Sequence, residues 1–132
     1  SADLHTSALT QQVVHRTLAE PGFLDDHLAT LRTTYRAQAD HLVDALEARL
    51  GDRLAVARPD GGMFLWAALL DPAADTAALL APAVERGVAF VPGAAFGVEQ
   101  LHPTRLRLSF ATADPAGLDL AVERLAGVFP AP

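Results

Sequence analysis

Hydrophobic positions change their spacing near residue 51, and this change divides the chain into two parts. Before it, apolar residues recur at intervals of three, four and seven, the spacing of an amphipathic helix. After it, short apolar runs alternate with turn residues and with further helical stretches. The pattern therefore predicts a helical first part and a mixed second part.

The first part predicts two helices. One covers about residues 7–18, and Thr6 or Ser7 can cap its start. The other begins near Leu24 and continues to Leu50 with an apolar stripe along one face. A helix of about 26 residues would be roughly 39 Å long. Such a length is typical of a connector between two bodies or of a helix that faces a dimer partner.

The second part predicts two helices among four strands, in the order β-β-α-β-β-α. The predicted strands cover residues 54–57, 63–69, 88–91 and 106–110, and the predicted helices cover 76–86 and a final stretch that begins at Asp114-Pro115. The strand 63–69 is apolar on both faces, which predicts that it is covered on both sides. Pro82 interrupts the first helical pattern, so that helix is either bent there or begins late.

This order predicts an α+β fold. We expect a two-layer sandwich with a small antiparallel or mixed sheet of about four strands, preceded by the long connector helix. A chain of 132 residues suits one domain, or one domain with an appendage.

Composition excludes several kinds of site and partner. The chain has no cysteine, which rules out a disulfide scaffold, a zinc finger and a thiol nucleophile. Its five histidines lack metal-ligand spacing, so no metal is expected. A net charge of −6 argues against nucleic acid. No apolar run reaches the roughly 20 residues of a membrane span. With no signal-peptide features at its start, the chain is expected in the cytoplasm.

All ten basic residues of the chain are arginine, and lysine is absent. Covalent chemistry that needs a side-chain amine therefore cannot come from these residues. The same holds for the lysine contact of a phosphate-binding P-loop.

Arg107 is the most informative single residue. In the predicted strand 106–110, Leu106 and Leu108 point to one face, whereas Arg107 and Ser109 point to the other. A guanidinium among apolar neighbours suits a planar, bidentate anion, and a carboxylate fits best. The pattern alone leaves open an exposed strand arginine or an internal ion pair.

Two glycine-containing segments could approach a ligand. Gly62, Met63 and Phe64 place flexible backbone directly before bulky apolar side chains, which could form the wall of an apolar pocket or simply lead a hairpin into the core. The small residues of 92–97 surround one ring, Phe96, and could admit a ligand close to the backbone or form a plain turn.

Several motifs occur in a characteristic order. They are Leu4-His5-Thr6-Ser7 with Gln11 and Gln12, a long helix, Gly61-Gly62-Met63-Phe64-Leu65-Trp66, Gly87-Val88, Val91-Pro92-Gly93 with Phe96, and Leu106-Arg107-Leu108-Ser109-Phe110. In this order and at these separations they resemble the C-terminal third of the fold-type I, pyridoxal-phosphate-dependent aminotransferases. The resemblance is to the class I/II branch of 2-aminoadipate and kynurenine aminotransferases, and it covers essentially the whole chain.

The resemblance implies a domain organisation and a set of site residues. Residues 1–22 would end the large domain, 23–50 would form the interdomain helix, and 51–132 would form the small C-terminal domain that closes over the substrate. Arg107 would bind the substrate α-carboxylate, and Arg105 would not. The residues that would line the substrate side-chain pocket are Gly62, Met63 and Phe64. The residues that would approach the active site across a homodimer interface are Leu4 and Thr6.

The resemblance also implies what this chain lacks. The family's cofactor-binding lysine and phosphate-binding residues precede the matched region, so pyridoxal 5′-phosphate would not be bound covalently here. The chain is thus expected to be an inactive fragment of an enzyme that transfers amino groups from amino acids to 2-oxo acids, with the large domain as its missing partner. The alternatives are an effector-sensing, aminotransferase-like module of a transcription regulator and a non-catalytic assembly domain.

Overall fold

The computed structural model describes residues 6–98 and 102–130, and the chain divides into two compact units at residues 34 and 35. The elements in chain order are α1 (Ala8–Ala19), α2 (Phe23–Leu50), β1 (Leu54–Val56), β2 (Phe64–Leu69), α3 (Thr76–Glu85), β3 (Val91–Pro92), a 3₁₀ turn (Gly93–Phe96), β4 (Arg105–Ser109) and α4 (Pro115–Ala126). Both helices predicted for the first part are confirmed to within a residue or two. None of the described helices has the length and apolarity to cross a membrane.

The first unit contains α1 and the beginning of α2. No residue of α1 is buried, and its large apolar side chains are exposed: Leu9, Val13, Val14 and Leu18. Ser7 occupies the N-cap position, but its side chain makes no capping hydrogen bond. The side-chain amide of Gln11 donates to the backbone carbonyl of Thr6 at 3.1 Å.

The second unit is built on a four-stranded antiparallel sheet of order β1-β2-β4-β3. Its core joins alternate residues of the central strands to the apolar faces of the later part of α2, of α3 and of α4. The core residues of these elements include Leu42, Val43, Leu46, Leu65, Ala67, Ala83, Leu106, Leu108, Leu118, Val122 and Leu125. The predicted α+β fold with a sheet of about four strands is confirmed.

Aspartate side chains cap the N-termini of both later helices, α3 and α4. The Asp75 carboxylate accepts from the Ala77 amide at 2.9 Å, and the Asp114 carboxylate accepts from the Gly117 amide at 2.8 Å. The predicted start of the last helix at Asp114-Pro115 is confirmed. The structure also shows that α3 begins at Thr76 and includes Pro82, so the alternative of a late start is wrong.

Two strand predictions need correction. The strand expected at 88–91 is reduced to Val91–Pro92, because the Val88 amide donates to the Ala83 carbonyl at 3.1 Å and holds this segment against the end of α3. The strand at 63–69 is not covered on both sides within the described residues. Phe64 and Trp66 remain 39% and 37% exposed, because the helices bury only the other face of β2.

Candidate functional site

Arg107 lies in the middle of β4, an interior strand of the sheet. Its register partners are Trp66 on β2 and Val91 on β3. Its sequence neighbours Leu106 and Leu108 are buried in the core, so the alternation of the strand directs Arg107 to the face that the helices leave open. The predicted orientation of this strand is confirmed.

Two aromatic rings approach Arg107 on the open face, and a third ring packs against one of them. The guanidinium carbon is 4.0 Å from the ring centroid of Phe64 and 4.9 Å from that of Phe96. Trp66 meets Phe96 edge to face, with centroids 5.4 Å apart and an interplanar angle of 80°. We call Phe64, Trp66 and Phe96 the aromatic cradle. Phe64 and Phe96 are the two rings that the guanidinium approaches, and an aromatic ring attracts a cation through its electron-rich face without accepting a conventional hydrogen bond.

The hydrogen-bonding capacity of Arg107 is unused within the described part of the chain. There it forms no ion pair within 4 Å and donates no side-chain hydrogen bond. Arg58 shows the opposite arrangement. It bonds the Asp44 carboxylate and, at 2.9 Å, the Asp40 carboxylate, and these two bonds raise the pKa of its guanidinium. The five N–H donors of Arg107 suit an incoming planar anion.

Close backbone packing brings Phe96 to this face. Gly93 begins the 3₁₀ turn, and a Cβ there would lie 2.5 Å from the His102 carbonyl oxygen and 2.8 Å from that of Arg105. Only glycine fits such an approach. The buried Thr76 hydroxyl bridges the carbonyls of Pro103 and Arg105, at 2.9 and 2.8 Å. These contacts hold the 3₁₀ turn and the start of β4 together.

The glycine-containing segment before β2 leads directly into the cradle. Gly62 has a φ of +83°, the left-handed region that favours glycine. Met63 is exposed, and its carbonyl accepts from the Phe110 amide at 3.2 Å. Phe64 contacts the Arg107 guanidinium, and Met63 and Gly62 come one and two positions before Phe64 in the chain. Their assignment to a substrate pocket stays a prediction.

The remaining predicted site residues belong to the first unit. Leu4 lies outside the described residues. Thr6 is exposed, and its carbonyl holds the Gln11 amide as described above. Their approach to an active site across a dimer interface stays a prediction.

Sequence reasoning did not assign Phe96 or Trp66 to Arg107. In the sequence, Phe96 is the single ring in a loop of small residues and Trp66 is part of an apolar strand, and both belong to the motifs of the family resemblance, but no pattern links either to Arg107. The alternation of β2 places Trp66 on the same face as Phe64, which is a usable signal. The register that sets Trp66 opposite Arg107 comes from the pairing of β2 with β4.

Among the described residues, a groove of about 770 Å³ lies between α2 and α4 and has fewer side chains free to bind a ligand than the face around Arg107. The charged side chains of its lining have partners: Arg49 lies 3.9 Å from Glu123, and Asp119 lies 2.9 Å from His41, which is not part of the lining. Within residues 6–98 and 102–130, no group of three or more acidic or histidine side chains could hold a metal ion.

The described residues thus form an open antiparallel sheet whose Arg107 lies beside aromatic rings and has no ion-pair partner among them. Comparison with known proteins identifies the family. The sequence-family model of the class I and II aminotransferases matches residues 1–125, so the chain belongs to this family.

Similar proteins support this membership along nearly the whole chain. The 2-aminoadipate transaminase of Thermus thermophilus is 40% identical over 94% of this chain and 30% of its own length. The aromatic-amino-acid aminotransferase 1 of Thermococcus litoralis is 34% identical over 96% of this chain and 30% of its own. These relatives do not favour the regulator module or the assembly domain.

A solved structure gives the same result for the fold. The crystal structure of LysN, alpha-aminoadipate aminotransferase from Thermus thermophilus, complexed with N-(5'-phosphopyridoxyl)-L-leucine, is 38% identical to this chain. It superimposes with a TM-score of 0.86 over 96% of this chain and 32% of that one. The chain therefore spans about 30% of the length of the relatives it matches.

Proposed function

We propose that this chain is the substrate-closing part of a pyridoxal-phosphate-dependent aminotransferase and that Arg107 binds the α-carboxylate of the amino-acid substrate. One observation carries the proposal: a guanidinium on the open sheet face, beside aromatic rings and without an ion-pair partner in the described part of the chain. Family membership is the independent support.

Arg107 would act by binding and orienting the substrate. Two parallel N–H···O bonds from the guanidinium fix both the position and the plane of a carboxylate. Fixing that plane restricts rotation about the bond to Cα, so the Cα–H is held in one direction relative to the reacting groups. Lysine could not replace this geometry, because its ammonium acts as a single point charge.

The domain limits belong to the same proposal. Residues 1–22 would complete the large domain, 23–50 would link the two domains, and 51–132 would close over the substrate. Gly62, Met63 and Phe64 would line the pocket for the substrate side chain. Leu4 and Thr6 would reach the active site of the second subunit in a homodimer.

The residues present do not fit covalent attachment of the cofactor. Pyridoxal phosphate supplies electron-sink chemistry when it is bound, and its attachment needs a lysine amine. The chain contains no lysine. The cofactor would therefore be held by residues outside these 132, and the chain alone would be inactive. The complete enzyme would act on amino acids and 2-oxo acids, and we expect it in the cytoplasm.

The test is steady-state kinetics of the natural polypeptide that contains this sequence, with and without Arg107→Ala. We expect kcat/KM to fall about 100-fold or more, mainly through KM, because two charge-assisted hydrogen bonds are lost. Arg105→Ala is the matched control: it removes an exposed arginine two residues away on the same face. An unchanged KM in Arg107→Ala would refute the assignment.

The intact mass of that natural polypeptide tests the organisation. A chain about three times longer that carries a borohydride-reducible chromophore would agree with the proposal. A polypeptide of 13.9 kDa would contradict it.

A further inference from the structure

We propose that the aromatic cradle positions the Arg107 guanidinium, so that Phe96 and Trp66 control carboxylate affinity through the arginine rather than through contact with the substrate. This inference rests on the proposed function and adds two positioning residues to it. Within residues 6–98 and 102–130, the guanidinium approaches the rings of Phe64 and Phe96 and forms no ion pair.

The aromatic rings and an incoming anion would interact with the guanidinium in different ways. The guanidinium carbon lies over the rings of Phe64 and Phe96, which attract its positive charge through their negative faces without accepting a conventional hydrogen bond. Its N–H donors lie in its plane and point outward from its edges. The rings therefore leave these N–H donors available to a carboxylate. A salt bridge to a protein carboxylate, as at Arg58, would occupy those edges.

Positioning matters because arginine is a long side chain with many rotamers. A free guanidinium must lose that freedom when it binds a carboxylate, whereas a held one has lost it beforehand. Phe64 lies on a regular strand, at 4.0 Å from the guanidinium carbon. It can hold one side of the cation by itself.

Phe96 needs support, because it lies at the end of a short 3₁₀ turn and is 43% exposed. That support comes from Trp66, which meets its ring edge to face and stands opposite Arg107 in the sheet. Trp66 would thus act on Arg107 through Phe96. The partial exposure of both rings indicates a modest role in stability.

The core contains a matched aromatic pair for the control. Phe90 and Phe129 also meet edge to face, with centroids 5.9 Å apart and an interplanar angle of 65°, but both are buried. Phe129→Leu makes the same chemical change as Phe96→Leu. It should lower stability without changing carboxylate affinity, and Phe96→Leu should do the reverse.

The experiment measures competitive inhibition of the complete holoenzyme by 4-methylpentanoate and by its neutral amide, 4-methylpentanamide. Phe96→Leu should raise the inhibition constant of the carboxylate about 3- to 10-fold and that of the amide less than about 2-fold. Phe96→Tyr keeps a ring and should restore the carboxylate value. Trp66→Leu alone should weaken inhibition by the carboxylate, whereas adding Trp66→Leu to Phe96→Leu should have little further effect.

The outcomes separate this inference from the proposed function. If Arg107→Ala leaves the carboxylate inhibition constant unchanged, the proposed function fails. If Arg107→Ala raises it and Phe96→Leu does not, only the cradle proposal is overturned. Equal losses for carboxylate and amide in Phe96→Leu would mean that Phe96 packs on the inhibitor itself, which also overturns the proposal. A lower Tm in Phe96→Leu with unchanged inhibition would assign the ring a structural role and overturn it as well.

Discussion

The two faces of the central sheet carry similar side chains in opposite surroundings. Toward the helices, Leu65 and Leu106 are almost completely buried. On the other face, Phe64 and Trp66 keep more than a third of their surface exposed, beside Arg107. Both faces of β2 are apolar in sequence, yet only one belongs to the core that the structure describes. We therefore expect the first face to determine stability and, under the proposed function, the second to determine binding.

Leu106→Ala should give the largest effect on the buried face. Leu106 is fully buried in the core, so truncation should lower the free energy of unfolding by about 3–4 kcal/mol. Urea unfolding of the chain measures this change. Arg107→Ala, its neighbour on the open face, should change stability by less than about 1 kcal/mol. Comparable losses in the two variants would remove the distinction between the faces.

Gly93→Ala should have the next largest effect, because its new Cβ would overlap two carbonyl oxygens of the backbone. We expect a loss of about 2 kcal/mol in the free energy of unfolding. Gly61→Ala is the control, since a Cβ there meets nothing within 4 Å. If the two variants unfold at the same urea concentration, the close packing of the 3₁₀ turn against β4 is not important for stability.

Thr76→Val should cost about 1–2 kcal/mol. The substitution preserves shape but removes the buried hydroxyl that Thr76 donates toward the carbonyls of Pro103 and Arg105. Thermal unfolding measures the change. Thr33→Val provides the comparison, because the exposed Thr33 hydroxyl only bonds the Ala29 carbonyl within its own helix. A neutral Thr76→Val would show that the start of β4 is held without this bridge.

Arg58→Ala should have the smallest effect, a decrease in Tm of at most about 2 °C at low salt. Exposed ion pairs contribute little and are screened, so the difference should vanish near 1 M salt. Because Asp44 and Asp40 raise the pKa of Arg58, its contribution would be lost only as pH rises past that already high value. The difference should therefore be constant between about pH 6 and pH 9. A salt-independent loss would contradict this account.

Local patterns were enough to predict most elements of the fold. Period-2 alternation gave the correct facing of Leu106 and Arg107, and Asp114-Pro115 marked the start of α4, because both signals depend on residues close together in the chain. The strand expected at 88–91 shrank to two residues, since a hydrogen bond to the end of α3 replaced strand pairing. The exposure of Phe64 and Trp66 differs from the cover predicted for both sides of this strand, because hydropathy does not say what covers a surface.

By itself the sequence determined the order of helices and strands in the α+β fold, the absence of a lysine side-chain amine, and an arginine that points away from the core. Only the tertiary structure decided that this arginine has rings for neighbours. Phe64, Trp66 and Phe96 come from two segments about 30 residues apart and meet Arg107 through strand register and the close approach of Gly93. Such contacts depend on long-range pairing, whose geometry is set by the packing of the whole sheet rather than by the residues on either side.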